Sequence, residues 1–326
     1  MSNEVLVLIE QFEGKISEVS FELLGKGKEL ASKLGGQLTA ALLGSNVQSL
    51  YRELGIADVV VVAESSTFAH YTPDAFKRRL VALVRARAPR LVLIGNTAFG
   101  MDLAAGLSAE TGIPLLAYCK ELKIENGCVI GVSELYGGKI LVESEAAGEQ
   151  LVVSVLAGAF PTEAGKVAGT PRVEEFSPPA PAESERIKFK RLIQPDAGDV
   201  DITKEAVLVS VGRGIQGKDN IPIVQELADA LGAALSASRP IVDSGWLPKT
   251  RQVGKSGMSV KPKAYIAVGI SGAPEHIEGM RDAEMIVAIN SDPSAPIFNV
   301  AHYGIVGDLF DLIPLLTEKV KAARSS

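Results

Sequence analysis

The residues best suited to chemistry stand in the C-terminal third, each at the end of an apolar run. Gly212-Arg213-Gly214-Ile215-Gln216-Gly217 follows Ala206–Val211, and Ser238-Arg239 closes Ala233–Ala237. Gln252-Val253-Gly254-Lys255-Ser256-Gly257 is a turn rich in amide donors. Gly269-Ile270-Ser271-Gly272-Ala273-Pro274-Glu275-His276 follows Tyr265–Val268. Asn290-Ser291-Asp292-Pro293 follows Met285–Ile289, and Asp308-Leu309 opens a helical run. Glycines let backbone amides approach a ligand, while helix starts and arginines bind anions. The chemistry these types can perform together is the holding of a phosphate-bearing cofactor.

Each motif also has a plainer reading. Gly212–Gly217 satisfies the GxGxxG pattern of nicotinamide sites. The acidic residue expected about 20 positions on is missing, because Leu235–Ser238 occupy that region. The arginine inside the turn could instead meet a phosphate directly. Arg239 could be a solvated surface charge, although Pro240 and Ile241-Val242 would fix its direction. The Lys255-Ser256 loop lacks Walker A spacing and could be a surface turn. His276 alone could be an ordinary surface histidine, and Asp308 could simply cap the helix that follows it.

These loops need a frame. At 326 residues the chain exceeds the ~250–300 at which one core stops growing, so two domains are expected. Up to Glu110, β-branched runs (Val5–Glu10, Leu38–Leu43, Asp58–Ala63, Arg90–Gly95) alternate with helical stretches (Ser17–Leu34, Thr72–Arg87, Asp102–Glu110). That pattern implies a parallel sheet covered on both faces. Leu115–Ile124, Cys128–Ser133, Lys139–Glu145 and Leu151–Leu156 then follow at short spacing, so an antiparallel extension is expected. The weakly charged Leu151–Phe160 suggests an apolar face needing a partner's cover. Phe176–Ala182 reads as an extended connection and Arg186–Ile193 as a last strand. The boundary falls at Pro195–Val200, giving an N-terminal domain over 1–195 and a doubly wound α/β domain over 196–326.

Composition excludes several classes. A net charge of -6 argues against a nucleic-acid binder. No apolar stretch reaches ~18 residues, so direct membrane insertion is not expected. Cys119 and Cys128 read as free thiols, and His70, His276 and His302 are too scattered for a metal site. No targeting segment is recognised, and a cytoplasmic location is expected.

The ordered series from Arg213 to Leu309 resembles the FAD-binding domain of electron-transfer flavoprotein alpha subunits of prokaryotic type. The resemblance carries the QVGKSG, GISGA..H, IVAINSDP.APIF and YGIVGDL segments and spans nearly the whole chain. It implies an N-terminal domain like the adenine-nucleotide hydrolases that packs on a beta subunit, and a C-terminal domain that binds FAD. The implied cofactor contacts are Arg213, Ser238, Arg239, Val253, Gly254, Lys255, Ser256, Ser271, Gly272, Ala273, Pro274, Glu275, His276, Asn290, Asp308 and Leu309. Arg239 would lie against the flavin ring, where a charge at ~4 Å is worth about 4 kcal/mol at an effective dielectric of ~20. Ser256 would reach N5, His276 would donate to O2, most strongly as an imidazolium, and Asn290 and Asp308 would serve the adenosine end. Tyr118, Ser133, Lys139, Leu156 and His302 depart from the usual pattern.

The resemblance implies an electron shuttle from acyl-CoA-type or other dehydrogenases, such as those of fatty acid beta-oxidation, to a membrane quinone oxidoreductase. A bifurcating role with NADH is the alternative within the family. A free-standing nicotinamide-dependent oxidoreductase using Gly212–Gly217 and a non-redox adenine-nucleotide module stand outside it. No general acid is identifiable for the former.

Overall fold

Alternation of buried side chains along short apolar strands builds both sheets. The computed structural model describes residues 2–136, 140–146, 148–177, 187–192 and 200–324. The chain divides into two units, Met1–Arg191 and Leu192–Ser326.

In the first unit the strands are β1 (Val5–Ile9), β2 (Gln11–Phe12), β3 (Lys15–Ile16), β4 (Leu38–Gly44), β5 (Val59–Glu64), β6 (Leu91–Gly95), β7 (Leu115–Glu125), β8 (Cys128–Leu135), β9 (Ile140–Glu145), β10 (Leu151–Val155) and β11 (Arg172–Glu175). The helices are α1 (Glu18–Leu34), α2 (Pro73–Arg87) and α3 (Ala98–Thr111). β2 and β3 form a small separate hairpin, and the other nine strands run β11-β5-β4-β1-β6-β10-β7-β8-β9. Val5, Val7 and Ile9 face α1, whereas Leu6 and Leu8 face α2 and α3. That strict alternation explains why every residue of β1 is buried. Gly35, in the left-handed conformation, ends α1 as a C-cap.

Several expectations need correction. Leu151–Val155 is not part of the antiparallel extension: β10 lies parallel between β6 and β7. It is buried throughout, so it is no face awaiting cover. Within the nine-stranded sheet only β7, β8 and β9 pair antiparallel, β7 turning into β8 at Asn126-Gly127 with both φ values positive. Exposed apolar side chains stand at the β8–β9 end instead: Leu135, Tyr136, Ile140 and Leu141. Residues 187–192 form no strand, and residues 186 and 193 lie outside those described. The outer strand is β11, parallel to β5, which the charged sequence Arg172–Glu175 did not advertise. Only Phe176 and Ser177 of the proline-rich connection are described. α3 begins at Ala98, because the Thr97 hydroxyl accepts the Gly100 N–H as a cap. Thr72 occupies the N-cap of α2, yet its buried hydroxyl makes no hydrogen bond.

The second unit contains β12 (Val207–Val211), β13 (Ala234–Ala237), β14 (Ala264–Val268), β15 (Ile286–Asn290) and β16 (Tyr303–Val306), all parallel, ordered β13-β12-β14-β15-β16. Its helices are α4 (Ile221–Leu231), α5 (Arg239–Asp243), α6 (Pro274–Glu278) and α7 (Leu309–Arg324). α4 and α7 cover one face over Val209, Val211 and Ile266. The opposite face, with Leu208, Tyr265 and Ala267, packs under Val253, Val260, Met280 and Ile297. β16 is exposed along its length and has no buried periodicity to reveal it in the sequence. Strand order reverses between β12 and β14, and crevices of this kind lie beyond the carboxyl ends of the strands. Among the described residues no helix is long and apolar enough to cross a membrane.

Candidate functional site

The loops beyond β12 and β14 meet at the reversal of strand order. Gly212 donates its N–H to the Val268 carbonyl (2.8 Å), and Gly214 donates to that of Gly269 (3.0 Å). A Cβ at Gly212 would stand 2.4 Å from the Gly269 oxygen, so that position must be glycine. Arg213 projects between the two glycines, exposed, above the buried Ile215. The turn does not open a long helix directly, because α4 starts only at Ile221. Its glycines serve loop-on-loop packing, and this geometry does not support the nicotinamide reading. Leu309 approaches from α7, with its Cδ2 3.0 Å from a Cβ built at Gly269.

Beyond β13, Ser238 is buried and donates its N–H to the Val211 carbonyl (3.0 Å). Arg239 starts α5, whose Ile241 is buried, and its Nε lies 3.1 Å from Asp243 Oδ2. The guanidinium is 68% exposed.

The loop at Val253 is tied down on two sides. Val253 donates its N–H to Ala237 O (2.9 Å), and Lys255 donates to Glu275 O (2.7 Å). Gly254 has φ +135°, and a Cβ there would stand 2.8 Å from the Glu275 oxygen. Gln252 is only 4% exposed and donates from Nε2 to Ser256 Oγ at 3.0 Å. Lys255 is exposed, with Nζ 3.5 Å from Glu278.

Beyond β14, Ser271, Ala273, Pro274 and Glu275 are exposed, whereas Gly272 is buried against Ile297. Ser271 O accepts the Ile297 N–H (3.0 Å). Asn290 holds two loops at once, donating to Ile270 O (2.8 Å) and accepting from Asp292 N–H (2.9 Å). Asp308 accepts the Phe310 N–H (2.9 Å) and so caps α7. His302 is a positioning group: its Nδ1 accepts the Ile286 N–H (3.0 Å).

His276 is the buried polar centre. Its Nε2 lies 3.0 Å from the hydroxyl of the fully buried Tyr265. Nδ1 is enclosed and makes no hydrogen bond of good geometry. Burial pushes its pKa down to about 4, opposed by the Val253 backbone. Burial therefore favours the neutral ring over the imidazolium that would donate most strongly. It can still donate through a neutral N–H.

The loops thus bring together Arg213, the Ser238-Arg239 pair, the Val253–Ser256 turn, the Ser271–His276 loop, Asn290 and the Asp308-Leu309 pair at strand ends. Gln252, Tyr265, Ser210 and Ser236 are polar members of this region not singled out for the site from sequence. For Ser210, Ser236 and Tyr265 the signal was a polar residue inside an apolar strand: VLVSV, ALSA and AYIAV.

A five-stranded parallel sheet in this order, with glycine loops and exposed cations at its reversal point, defines a nucleotide-cofactor-binding protein. Residues 5–181 match the electron transfer flavoprotein domain, and residues 201–281 match the electron transfer flavoprotein FAD-binding domain. The chain is 38% identical to "Protein FixB" of Clostridium saccharobutylicum over 97% of this chain and 96% of that one. It is 37% identical to "Electron transfer flavoprotein subunit alpha" of Clostridium acetobutylicum over 98% of each chain. It is 33% identical to "Acryloyl-CoA reductase electron transfer subunit beta" of Anaerotignum propionicum over 99% and 97%. The chain belongs to the electron transfer flavoprotein family, as an alpha subunit. Its cofactor is FAD and its partner a beta subunit.

The residues present fit that cofactor. Ser256 and Ser271 are exposed in the strand-end loops, where their hydroxyls suit its polar atoms. The exposed Arg213, Arg239 and Lys255 suit its phosphates or an electron-rich ring.

Proposed function

We propose that this chain is the FAD-holding half of a two-subunit electron carrier that takes electrons from acyl-CoA-type or other dehydrogenases. It passes them to a membrane quinone oxidoreductase or an equivalent acceptor. Bound FAD supplies the electron-accepting chemistry. The protein's part is to bind it, orient it and set its potential. The observation that carries the reading is the meeting of the glycine loops beyond β12 and β14 at the reversal of strand order, with Arg213, Arg239 and Lys255 exposed at the strand ends.

Arg213, Ser271 and the amides of Gly272–Glu275 would hold the pyrophosphate. Asn290, Asp308 and Leu309 would border the adenosine end. Val253, Gly254 and Lys255 would line the ring, Ser256 would donate at its central nitrogen, and His276 at its pyrimidine carbonyl. Ser238 and Arg239 would add a positive field beside the ring. The N-terminal domain, taken over 1–195, would pack on the beta subunit through the exposed apolar end of β8–β9.

Co-expression with the beta subunit tests this. A yellow heterodimer with flavin absorbance, bleached by an acyl-CoA dehydrogenase and its substrate, is expected. A colourless complex, or one bleached only by NADH, would count against the shuttle reading.

A further inference from the structure

Asn220 stands at the N-cap of α4, yet its side chain gives that helix no cap bond. An N-cap side chain accepts from the N–H of the second or third helical residue. The second here is Pro222, which has no N–H to offer. The side chain turns backward instead, and its Nδ2 donates to the Ile215 carbonyl at 3.0 Å. A carbonyl can only accept, so the donor nitrogen must face it. The asparagine serves here through its proton rather than its lone pairs.

The carbonyl it grips belongs to a strained turn. Gln216 has φ 67° and ψ -32°, and the Gly217 N–H closes back on the same Ile215 carbonyl at 2.8 Å. A bond across one positive-φ residue makes the uncommon, strained hand of γ-turn. Glycine adopts such a conformation freely, whereas glutamine does not. Strain of this kind persists only where the surroundings over-determine it. Here Ile215 is fully buried, the Asn220 N–H donates to Gly217 O (3.2 Å), and the Asn220 side chain adds the second bond to Ile215 O. The Ile215 carbonyl and the Gln216 N–H are the two ends of one planar peptide unit. Asn220 holds one end, and the other donates to the Arg213 carbonyl at 3.0 Å. Gly212 and Gly214, on either side of Arg213, are bonded to the loop beyond β14.

We infer that Asn220 is a positioning residue of the FAD site, which locks the Ile215–Gln216 peptide in its strained turn and so fixes Arg213 at the strand ends. This rests on the FAD-site reading for what Arg213 meets, whereas the lock itself rests on the bonds within residues 212–220. Asn220 acts through Arg213 and need not touch FAD. The lock also explains why a non-glycine residue is held at positive φ beside two glycines: the peptide plane is pinned at both ends, so the turn cannot relax.

The test compares variants of the heterodimer by amide exchange over residues 212–220 and by FAD titration. Asn220→Asp discriminates, since aspartate caps helices as well as asparagine but, ionised, has no proton to donate. It should speed exchange and weaken FAD binding about tenfold, the size of one lost hydrogen bond. Asn220→Ser keeps a capping group but is too short to reach Ile215, and should act the same way should the aspartate variant fail to fold. Adding Gln216→Gly to Asn220→Asp should restore most of the affinity, because glycine holds the turn without the lock. Arg213→Ala should itself weaken FAD binding, and Asn220→Asp should then add little. Exchange unchanged in Asn220→Asp overturns the lock. Faster exchange with full FAD affinity, where Arg213→Ala does bind FAD weakly, overturns the positioning role, as does a double variant that fails to recover. An Arg213→Ala protein that binds FAD normally overturns the placement of Arg213 beside the cofactor, and the lock then stands or falls by exchange.

Discussion

Gln252 donates its side-chain amide to the Ser256 hydroxyl from a position almost closed to solvent. The serine oxygen is thereby filled from behind, and its own proton is left to point into the site. Ser256→Ala should lower the flavin reduction potential and cost about 1–3 kcal/mol of stability, because the buried Gln252 amide loses its partner. Ser256→Thr should retain both properties. A double-mutant cycle with Gln252→Leu, read by denaturation and redox titration, should be clearly non-additive. Additive effects would show that the two side chains act independently.

Arg239→Ala should lower the one-electron potential of bound FAD and leave FAD binding nearly unchanged. The effect is expected at about 1–2 kcal/mol, below a fully desolvated pair, since the side chain is largely exposed and shared with Asp243. Asp243→Asn removes the competing carboxylate and should shift the potential the other way. Redox titrations of the two variants that move together would exclude this geometry.

His276 links stability to pH. Its folded pKa, about 4, lies below the ordinary 6.5. The unfolded chain therefore binds more protons between those values. The stabilisation is fully present above pH 6.5 and is lost as pH falls toward 4, by about 3 kcal/mol in total. Melting temperatures of wild type and His276→Gln should be offset evenly above pH 7 and converge at lower pH. A constant offset down to pH 4.5 would refute the depressed pKa. Correspondingly, this histidine should add no slope to the flavin potential between about pH 6 and 8.5.

Gly272→Ala should cost about 3 kcal/mol or more and abolish FAD retention. Its φ is +85°, and the added carbon would stand 2.3 Å from the Ile297 nitrogen. Thermal denaturation and flavin release during gel filtration measure both effects.

Leu141→Asp with Tyr136→Asp should weaken association with the beta subunit without unfolding the chain, since both side chains are exposed. Circular dichroism should stay unchanged while the heterodimer peak in size-exclusion chromatography diminishes. An undiminished peak would place the beta subunit elsewhere.

Much of the architecture was legible because its strands are short apolar runs bounded by glycine. β1, β4, β5 and β6, with α1 and α2, fall within one or two residues of expectation. β10 misled because spacing along the chain reports hairpins, whereas its neighbours are chosen by burial on both faces. β11 and β16 are edge strands with little buried surface, so periodicity had nothing to mark. The site's glycines and cations were readable as motifs. The state of His276 was not, because it depends on desolvation by the folded loops, opposed by the Val253 backbone. Asn290 and Asp308 show the converse: their side chains brace loops and a helix end as well as edging the site.

The insertion of β10 between β6 and β7 carries a kinetic consequence. Until residue 155 has left the ribosome, the β7–β9 meander has no strand through which to join the sheet. Nascent chains shorter than this hold two separate pieces with open edges, a condition that invites misassembly. The five residues of β10 bridge Leu91–Gly95 to the Leu115 strand, so closure of the sheet is expected to wait for them. The latest-arriving interior strand acts as the keystone, and amide exchange in the meander should rise and fall with that of Leu151–Val155.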